Sequence, residues 1–282
     1  MSISTTQQTE PTPAEMYETF YGPAIFSPCA QVVLERAAPQ LGESVLDLAC
    51  GTGQVARRVA PMVGVDGSVT ALDLNPDMLA AGRSLTPPEG ASIDWVQGDA
   101  VAPELPDGSF DLVICQHGLQ FFPDRAAALN HARNLLKPGG RMVVAVWKGI
   151  GRHPLFSAMA EAELRYLESL GLTRGELTIP FSLGDEEELA SLLAGAGFSG
   201  VGIEECSIDA RFPGPASWVR NMQYAYAAVI PEFAEDRPAF DRFVAAVEAE
   251  IEELVREHTR GDQVVVPMHA LIAWSATMEE SS

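Results

Sequence analysis

Short apolar runs alternate with helix-period segments through the first half of the chain. Val45-Leu46-Asp47-Leu48 ends in an acid, breaks at Cys50-Gly51-Thr52-Gly53 and re-enters a helical pattern over residues 54–60. That order predicts strand, tight loop and helix, the opening half of a βαβ unit. The alternation continues with strands over residues 67–73, 93–100, 110–116 and 141–147, and a helix over 125–136. A helix start at Leu74-Asn75-Pro76 suits proline near the first turn. Leu135-Leu136-Lys137-Pro138-Gly139-Gly140 carries the stop signals of a helix end before the fifth strand.

The second half is more helical. Residues 155–170 and 185–196 read as helices, the latter closed by Gly197. A sixth strand is predicted over 201–209 and a last one over 264–274, where Pro267 implies an edge position or a bulge. Between these strands lie helical patterns over 218–228 and 238–258. At the other end, residues 1–13 read as a disordered tail. A short helix over 13–21 should break at Gly22-Pro23, and a second should run over 28–38.

Composition narrows the function classes. The 282 residues carry 39 acids against 18 bases, a net charge of −21, with the excess concentrated after residue 150. Such a field repels nucleic-acid backbone and anionic membrane surface. Two lysines, Lys137 and Lys148, stand against sixteen arginines; with the acid excess, this pattern fits adaptation to high salt, which melting temperature against KCl would test. Cys29, Cys50, Cys115 and Cys206 are dispersed, so neither a disulfide framework nor a metal site is expected. No apolar stretch is long enough to span a bilayer and no signal pattern opens the chain. A cytoplasmic protein is expected, with a homodimer left open.

Gly51-Thr52-Gly53-Gln54-Val55-Ala56 fits the general G-x-G-x-x-G/A pattern of dinucleotide binding. The acids around it suit a different ligand. Asp47, Asp73 and Asp99 close three successive predicted strands, and Asp73 lies 20 residues past Gly53. At the carboxyl edge of a parallel sheet they would line one crevice. There Asp47 would repel a pyrophosphate and attract a cation. With Leu46-Asp47-Leu48-Ala49-Cys50-Gly51-Thr52-Gly53 and the Lys137-Pro138-Gly139-Gly140 turn, the chain resembles the class I S-adenosylmethionine-dependent methyltransferases. It is most similar to their small-molecule, ubiquinone/menaquinone-type or "type 11" branch.

The resemblance implies an α/β fold: a doubly wound, Rossmann-like, mostly parallel seven-stranded sheet with an added helical cap. It divides the chain into a lid (14–40), a cofactor-binding core (41–150) and a remainder (151–282), with the cap at about 154–180 and 213–260 over an acceptor pocket. S-adenosylmethionine is the implied cofactor. Asp47 would meet its methionine ammonium, and Gly51, Thr52, Gly53 and Gln116 its amino-acid end. Asp73 would accept from the ribose hydroxyls, and Leu74 and Met78 would pack on the adenine. Asp99 and Ala100 would meet the adenine edge, and Tyr21 (or Tyr17) would cover the whole. His117 is the best-placed candidate base, with His153 behind it; His131, His258 and His269 read as structural or solvated. No metal is required.

A methyltransferase acting on an O, N or C atom of a small aromatic or apolar metabolite is therefore the expectation. A non-catalytic S-adenosylmethionine-binding protein and a nucleotide-dependent oxidoreductase are the alternatives.

Overall fold

The structure, a computed structural model, describes residues 11–172, 176–227, 233 and 236–276. Most of the predicted disordered tail, residues 1–10, and parts of the predicted cap lie outside these residues. The chain opens with α1 (Pro13–Met16), a π-helical segment Tyr17–Phe26 and α2 (Ser27–Ala37), which run on as one helical stretch. The predicted break at Gly22-Pro23 does not occur. Wide π-turn bonding carries the chain past the missing N–H of Pro23, and Ser27 N–H donates to the Gly22 carbonyl. A side chain at Gly22 would strike Gln54, so the glycine lets this stretch lie close on the loop after the first strand.

Five parallel strands follow: β1 (Ser44–Leu48), β2 (Ser68–Asp73), β3 (Ile93–Gln97), β4 (Phe110–Gln116) and β5 (Leu136–Trp147). Their helices are α3 (Ala56–Val63), α4 (Pro76–Ser84) and α5 (Arg125–Leu135). Asn75 and Asp124 cap α4 and α5, each accepting an N–H of the first turn. The Lys137-Pro138-Gly139-Gly140 segment, predicted as a turn before β5, lies within that strand. Leu136 pairs with Phe110, and the register shifts before Arg141 meets Leu112.

The remaining elements are α6 (Pro154–Ser169), α7 (Glu186–Gly195), β6 (Ser199–Pro213), α8 (Trp218–Ala227), α9 (Arg237–His258), β7 (Thr259–Arg260) and β8 (Gln263–Ala276). Strand order is β3-β2-β1-β4-β5-β8-β6, and the two-residue β7 adds an eighth strand beside β8 where seven were predicted. β8 runs antiparallel between β5 and β6, pairing with β5 only over Ala270–Ala276. Its first half, with Pro267, therefore extends beyond β5 with β6 on one side, a local edge that tolerates proline.

That extension is an arm carrying the cap. Phe212 of β6 packs on Phe20 of the opening stretch at 5.1 Å and on Trp218 of α8 at 6.0 Å. Tyr166 of α6 meets Phe243 of α9, and Arg165 pairs with Glu250 at 2.6 Å. Tyr21 donates to the Met222 carbonyl of α8 at 2.9 Å, so the opening stretch and the cap share one apolar layer.

Both faces of the sheet are buried. Val45, Val69, Leu112, Ile114 and Val143 join one core with α2 and α3. Leu46, Leu48, Leu72, Val113 and Val144 join another with α5 and α7. Strand order reverses between β1 and β4, so the crevice at their carboxyl ends is a topological switch point, where open α/β sheets place ligands.

Candidate active site

Two residues at that switch point adopt left-handed backbone conformations although neither is glycine. Ala49, just after β1, has φ of 59°, and His117, just after β4, has φ of 56°. Such a conformation costs an L-residue roughly 1–2 kcal/mol and clusters where a loop is held for function. The His117 N–H donates to the Ala145 carbonyl at 2.8 Å. Packing enforces the rest: a side chain at Gly118 would lie 2.7 Å from the Ala49 methyl.

Asp47 is 2% exposed, and its Oδ2 accepts the Ala56 N–H at the start of α3 at 2.8 Å. Burial raises this carboxyl to about 7; the Ala56 N–H opposes that rise, and the neighbouring Asp73 charge adds to it. Asp73 is half-buried, its two oxygens accepting from Gly51 N–H at 2.7 Å and Asn75 N–H at 2.9 Å. Asp99 stands two residues beyond the end of β3, exposed, and caps the Val101 N–H at 2.9 Å. Leu74 is exposed, Met78 half-buried and Ala100 buried.

The glycine loop is shaped by its neighbours. A side chain at Gly51, whose φ is 56°, would lie 3.2 Å from the Tyr17 hydroxyl. At Gly53, φ 78°, it would stand 2.4 Å from the Trp95 ring. Close approach is thus demanded at Gly53 by a half-buried tryptophan of β3, a constraint the motif alone did not suggest. Thr52 is fully buried with its hydroxyl committed to Glu18, which also takes Gln54 at 3.0 Å and pairs with Arg57 at 2.8 Å. Glu18 thereby fastens the opening stretch onto the loop. Tyr17, not Tyr21, lies over Gly51; its ring stacks on Phe26 at 4.5 Å.

Behind Tyr17 opens a cavity of about 230 Å³, walled by apolar residues of the opening stretch, β5 and the cap, among them Tyr21, Ile25, Phe156, Met159, Phe181 and Met222. His117 and Gln120 line it from the β4 exit, Phe121 stands at 54% exposure among its lining residues, and Glu163 of α6 lines it from the cap side. The His117 ring stacks on Trp147, with Nε2 3.1 Å from Cys29 Sγ. Burial pushes this imidazole down to about 3, so it is neutral. The Gln116 amide donates to the Phe26 carbonyl at 3.1 Å, leaving its oxygen unpartnered.

His153 is not among the residues lining the cavity. It is fully buried, with Nε2 accepting the His269 N–H at 3.0 Å, which ties the start of α6 to β8. Burial, foremost, lowers it to about 4. His153, the second candidate base of the sequence analysis, is thus placed between α6 and β8, beside Phe181 at 4.9 Å. Among the described residues no group of histidine, cysteine and acidic side chains has metal-binding geometry.

The crevice fits a cationic ligand. Two carboxyls, Asp47 and Asp73, flank the glycine loop, Asp73 accepting the Gly51 N–H; the Tyr17 phenol beside them is pushed far up, first by burial and then by their charges.

The sequence profile described as "Methyltransferase domain" matches residues 45–140, from β1 through the start of β5. The ubiquinone/menaquinone biosynthesis C-methyltransferase UbiE of Serratia proteamaculans is 33% identical over 57% of this chain and 68% of its own length. The chain belongs to the class I S-adenosylmethionine-dependent methyltransferases. UbiE of Hahella chejuensis is 38% identical over 39% of this chain, which spans only 45% of that relative. Solved structures share its fold: YcgJ of Bacillus subtilis aligns with a TM-score of 0.55 at 13% identity, covering 89% of this chain and 98% of that one. Phosphoethanolamine N-methyltransferase 2 of Haemonchus contortus, solved with S-adenosyl-L-methionine, gives 0.55 at 18% identity over 95% and 57%. Membership in this family sets aside the oxidoreductase reading of the glycine pattern. Among the described residues, no helix of the chain is long and apolar enough to cross a membrane.

The polar residues Glu18, Gln120 and Glu163, together with Trp95 and apolar wall residues such as Phe26 and Met159, escaped the sequence reading. Glu163 alone had a legible signal, because it interrupts the apolar stripe Phe156, Met159, Ala160 and Leu167 of α6 at helical spacing.

Proposed function

We propose that this protein transfers a methyl group from S-adenosylmethionine to a small, largely apolar acceptor held in the cavity between the opening stretch and the cap. One observation carries the reading: Tyr17 both lies over Gly51 of the cofactor loop and lines the cavity, so the two sites share a wall. When bound, S-adenosylmethionine supplies an electrophilic methyl on a positively charged sulfur.

The chain's own residues have these roles. Asp73 keeps free lone pairs on both oxygens after accepting its two backbone N–H groups, and offers them to the ribose hydroxyls. Asp47, with one oxygen spent on α3, holds the ammonium through its charge. The unpartnered Gln116 oxygen accepts at the same end. Leu74, Met78, Asp99 and Ala100 form the adenine side. Tyr17, Tyr21 and Phe26 exclude water, which strengthens the electrostatics of the crevice and protects alignment of the reacting atoms. His117, neutral and stacked, shapes the cavity beside the methyl; it is a weak proton acceptor.

At about 230 Å³ the cavity is below the roughly 300–1,000 Å³ of drug-sized sites, which fits an acceptor core of one or two fused rings. A quinone-related ring is consistent with the names of the UbiE relatives. Calorimetric titration with S-adenosylmethionine, S-adenosylhomocysteine and NADH, followed by methyl transfer to a panel of one- and two-ring acceptors, tests the reading. Binding of the first two with transfer to at least one ring compound is expected. Binding without transfer to any acceptor would instead favour a non-catalytic cofactor-binding protein, and no binding would overturn the reading.

A further inference from the structure

Glu163 is 1% exposed in a cavity whose walls are otherwise mainly aromatic and aliphatic. Among the described residues it makes no ion pair, and its hydrogen-bond partner is the Gln223 amide of α8, which donates to Oε1. Gln223 is itself fully buried, with its own oxygen unpartnered. Burial raises the Glu163 carboxyl to about 7, opposed by the Gln223 hydrogen bond. Gln120, 2% exposed, lines the same cavity from the β4 exit with neither amide atom partnered.

Buried polar atoms are nearly always satisfied, and each exception needs an account. Packing alone supplies none here: leucine or methionine at position 163 would fill the space without burying a carboxyl. Apolar walls with a few convergent polar groups are the form of a site that orients an apolar ligand by its polar substituents.

We propose that Glu163, positioned by Gln223, is the specificity-determining residue of the acceptor cavity, taking a hydrogen bond from a neutral hydroxyl of the acceptor, while Gln120 pairs with a second polar atom of the same molecule. The proposal rests on the reading of this cavity as the acceptor site. A hydroxyl brings one donor to one carboxyl and leaves the charge of the cavity unchanged. An ammonium would bring three donors and a full charge to apolar walls bearing a single carboxyl.

The test uses the full chain with three probes of nearly equal size: 1-naphthol, 1-methoxynaphthalene and 1-naphthylmethylamine. Their binding is followed by tryptophan fluorescence with and without saturating S-adenosylhomocysteine, in wild type, Glu163→Gln and Glu163→Leu. Wild type should bind 1-naphthol about tenfold or more tightly than 1-methoxynaphthalene, the scale of a hydrogen bond to a charged group. Glu163→Leu should bring the two within twofold. Glu163→Gln, which puts an NH₂ where the free oxygen stands, should abolish or invert the preference.

A wild-type preference under twofold overturns the proposal, as does a preference that survives both substitutions. So does tighter binding of the amine than of 1-naphthol, or no binding of any probe. S-adenosylhomocysteine affinity is read separately in each protein. Its absence in wild type would sink the methyltransferase reading, whereas its retention with an indifferent cavity would sink only the role of Glu163. Should both variants fail to fold, the order of the three probes on wild type decides.

Discussion

His117 and Trp147 lie face to face, their ring centroids 3.7 Å apart and their planes within 10°. The stack buries the imidazole, lowers it to about 3 and leaves Nδ1 without a partner. A histidine ionising there is uncharged throughout the physiological range, so its titration does not shape the rate near neutrality. In His117→Asn, a residue that tolerates the left-handed backbone, turnover should fall less than about tenfold on this argument, since proton transfer by a well-placed base is worth roughly 10²–10⁴. The pH profile should keep its shape. An inflection between about pH 5 and 8 in wild type that vanishes in the variant would make His117 the base.

Asp47 gives donor binding a pH dependence of definite sign. Its carboxyl, at about 7, is neutral below that pH and then attracts the methionine ammonium less. Affinity for S-adenosylhomocysteine should therefore weaken as pH falls from about 8 to 6, because binding the ammonium requires the ionised carboxylate and releases its proton to solvent. Asp47→Asn should bind roughly ten- to hundredfold more weakly and lose this dependence over the same range. Calorimetry at several pH values reads both effects. Equal slopes in the two proteins would remove Asp47 from the ammonium site.

Gly53 and Trp95 should be coupled. A methyl at Gly53 would stand 2.4 Å from the indole and would also occupy a left-handed position. Gly53→Ala should cost about 2–4 kcal/mol by urea unfolding, combining a backbone penalty near 1 kcal/mol with overpacking. Adding Trp95→Leu should recover the overpacking part, leaving a non-additive cycle. Additive losses would mean that the backbone penalty alone accounts for the glycine.

Glu163 makes the unliganded fold less stable as pH rises. In the unfolded chain the carboxyl ionises near its ordinary value, while in the fold it holds its proton up to about 7. Between those values the folded state binds more protons, so stability falls with rising pH across that window and levels above it. Glu163→Gln removes this contribution and should be the more stable protein at pH 8 by about 1–3 kcal/mol, with no gain near pH 4. Chemical unfolding at the two pH values checks it.

Much of the parallel half was legible because its signals are local. An apolar run ending in an acid, a glycine turn and a helical period specify strand, loop and helix within a dozen or so residues, and β1 to β4 and their helices stand within a few residues of the predicted bounds. The same locality placed Asp47, Asp73 and Asp99 at or just beyond the ends of three adjacent strands. Pro267 could be read as an edge residue because its missing N–H is a property of the residue itself. Where neighbours far along the chain decide, the reading failed. Gly22-Pro23 looks like a break, yet contact with the glycine loop keeps the helix running through it in π form.

What the chain determined by itself is therefore the order of strands and helices, the acid at each strand end and the family they indicate. Tertiary structure alone decided which side chains meet: Glu18 on Thr52 and Arg57, Trp95 against Gly53, and His117 on Trp147. It also decided that Glu163, an ordinary helical glutamate by its letter, faces an apolar cavity with Gln120. The physical reason is range. Propensity, capping and periodicity act within a turn or a strand, whereas desolvation and side-chain pairing depend on which distant surfaces close over a group, and these govern the chemistry of the site.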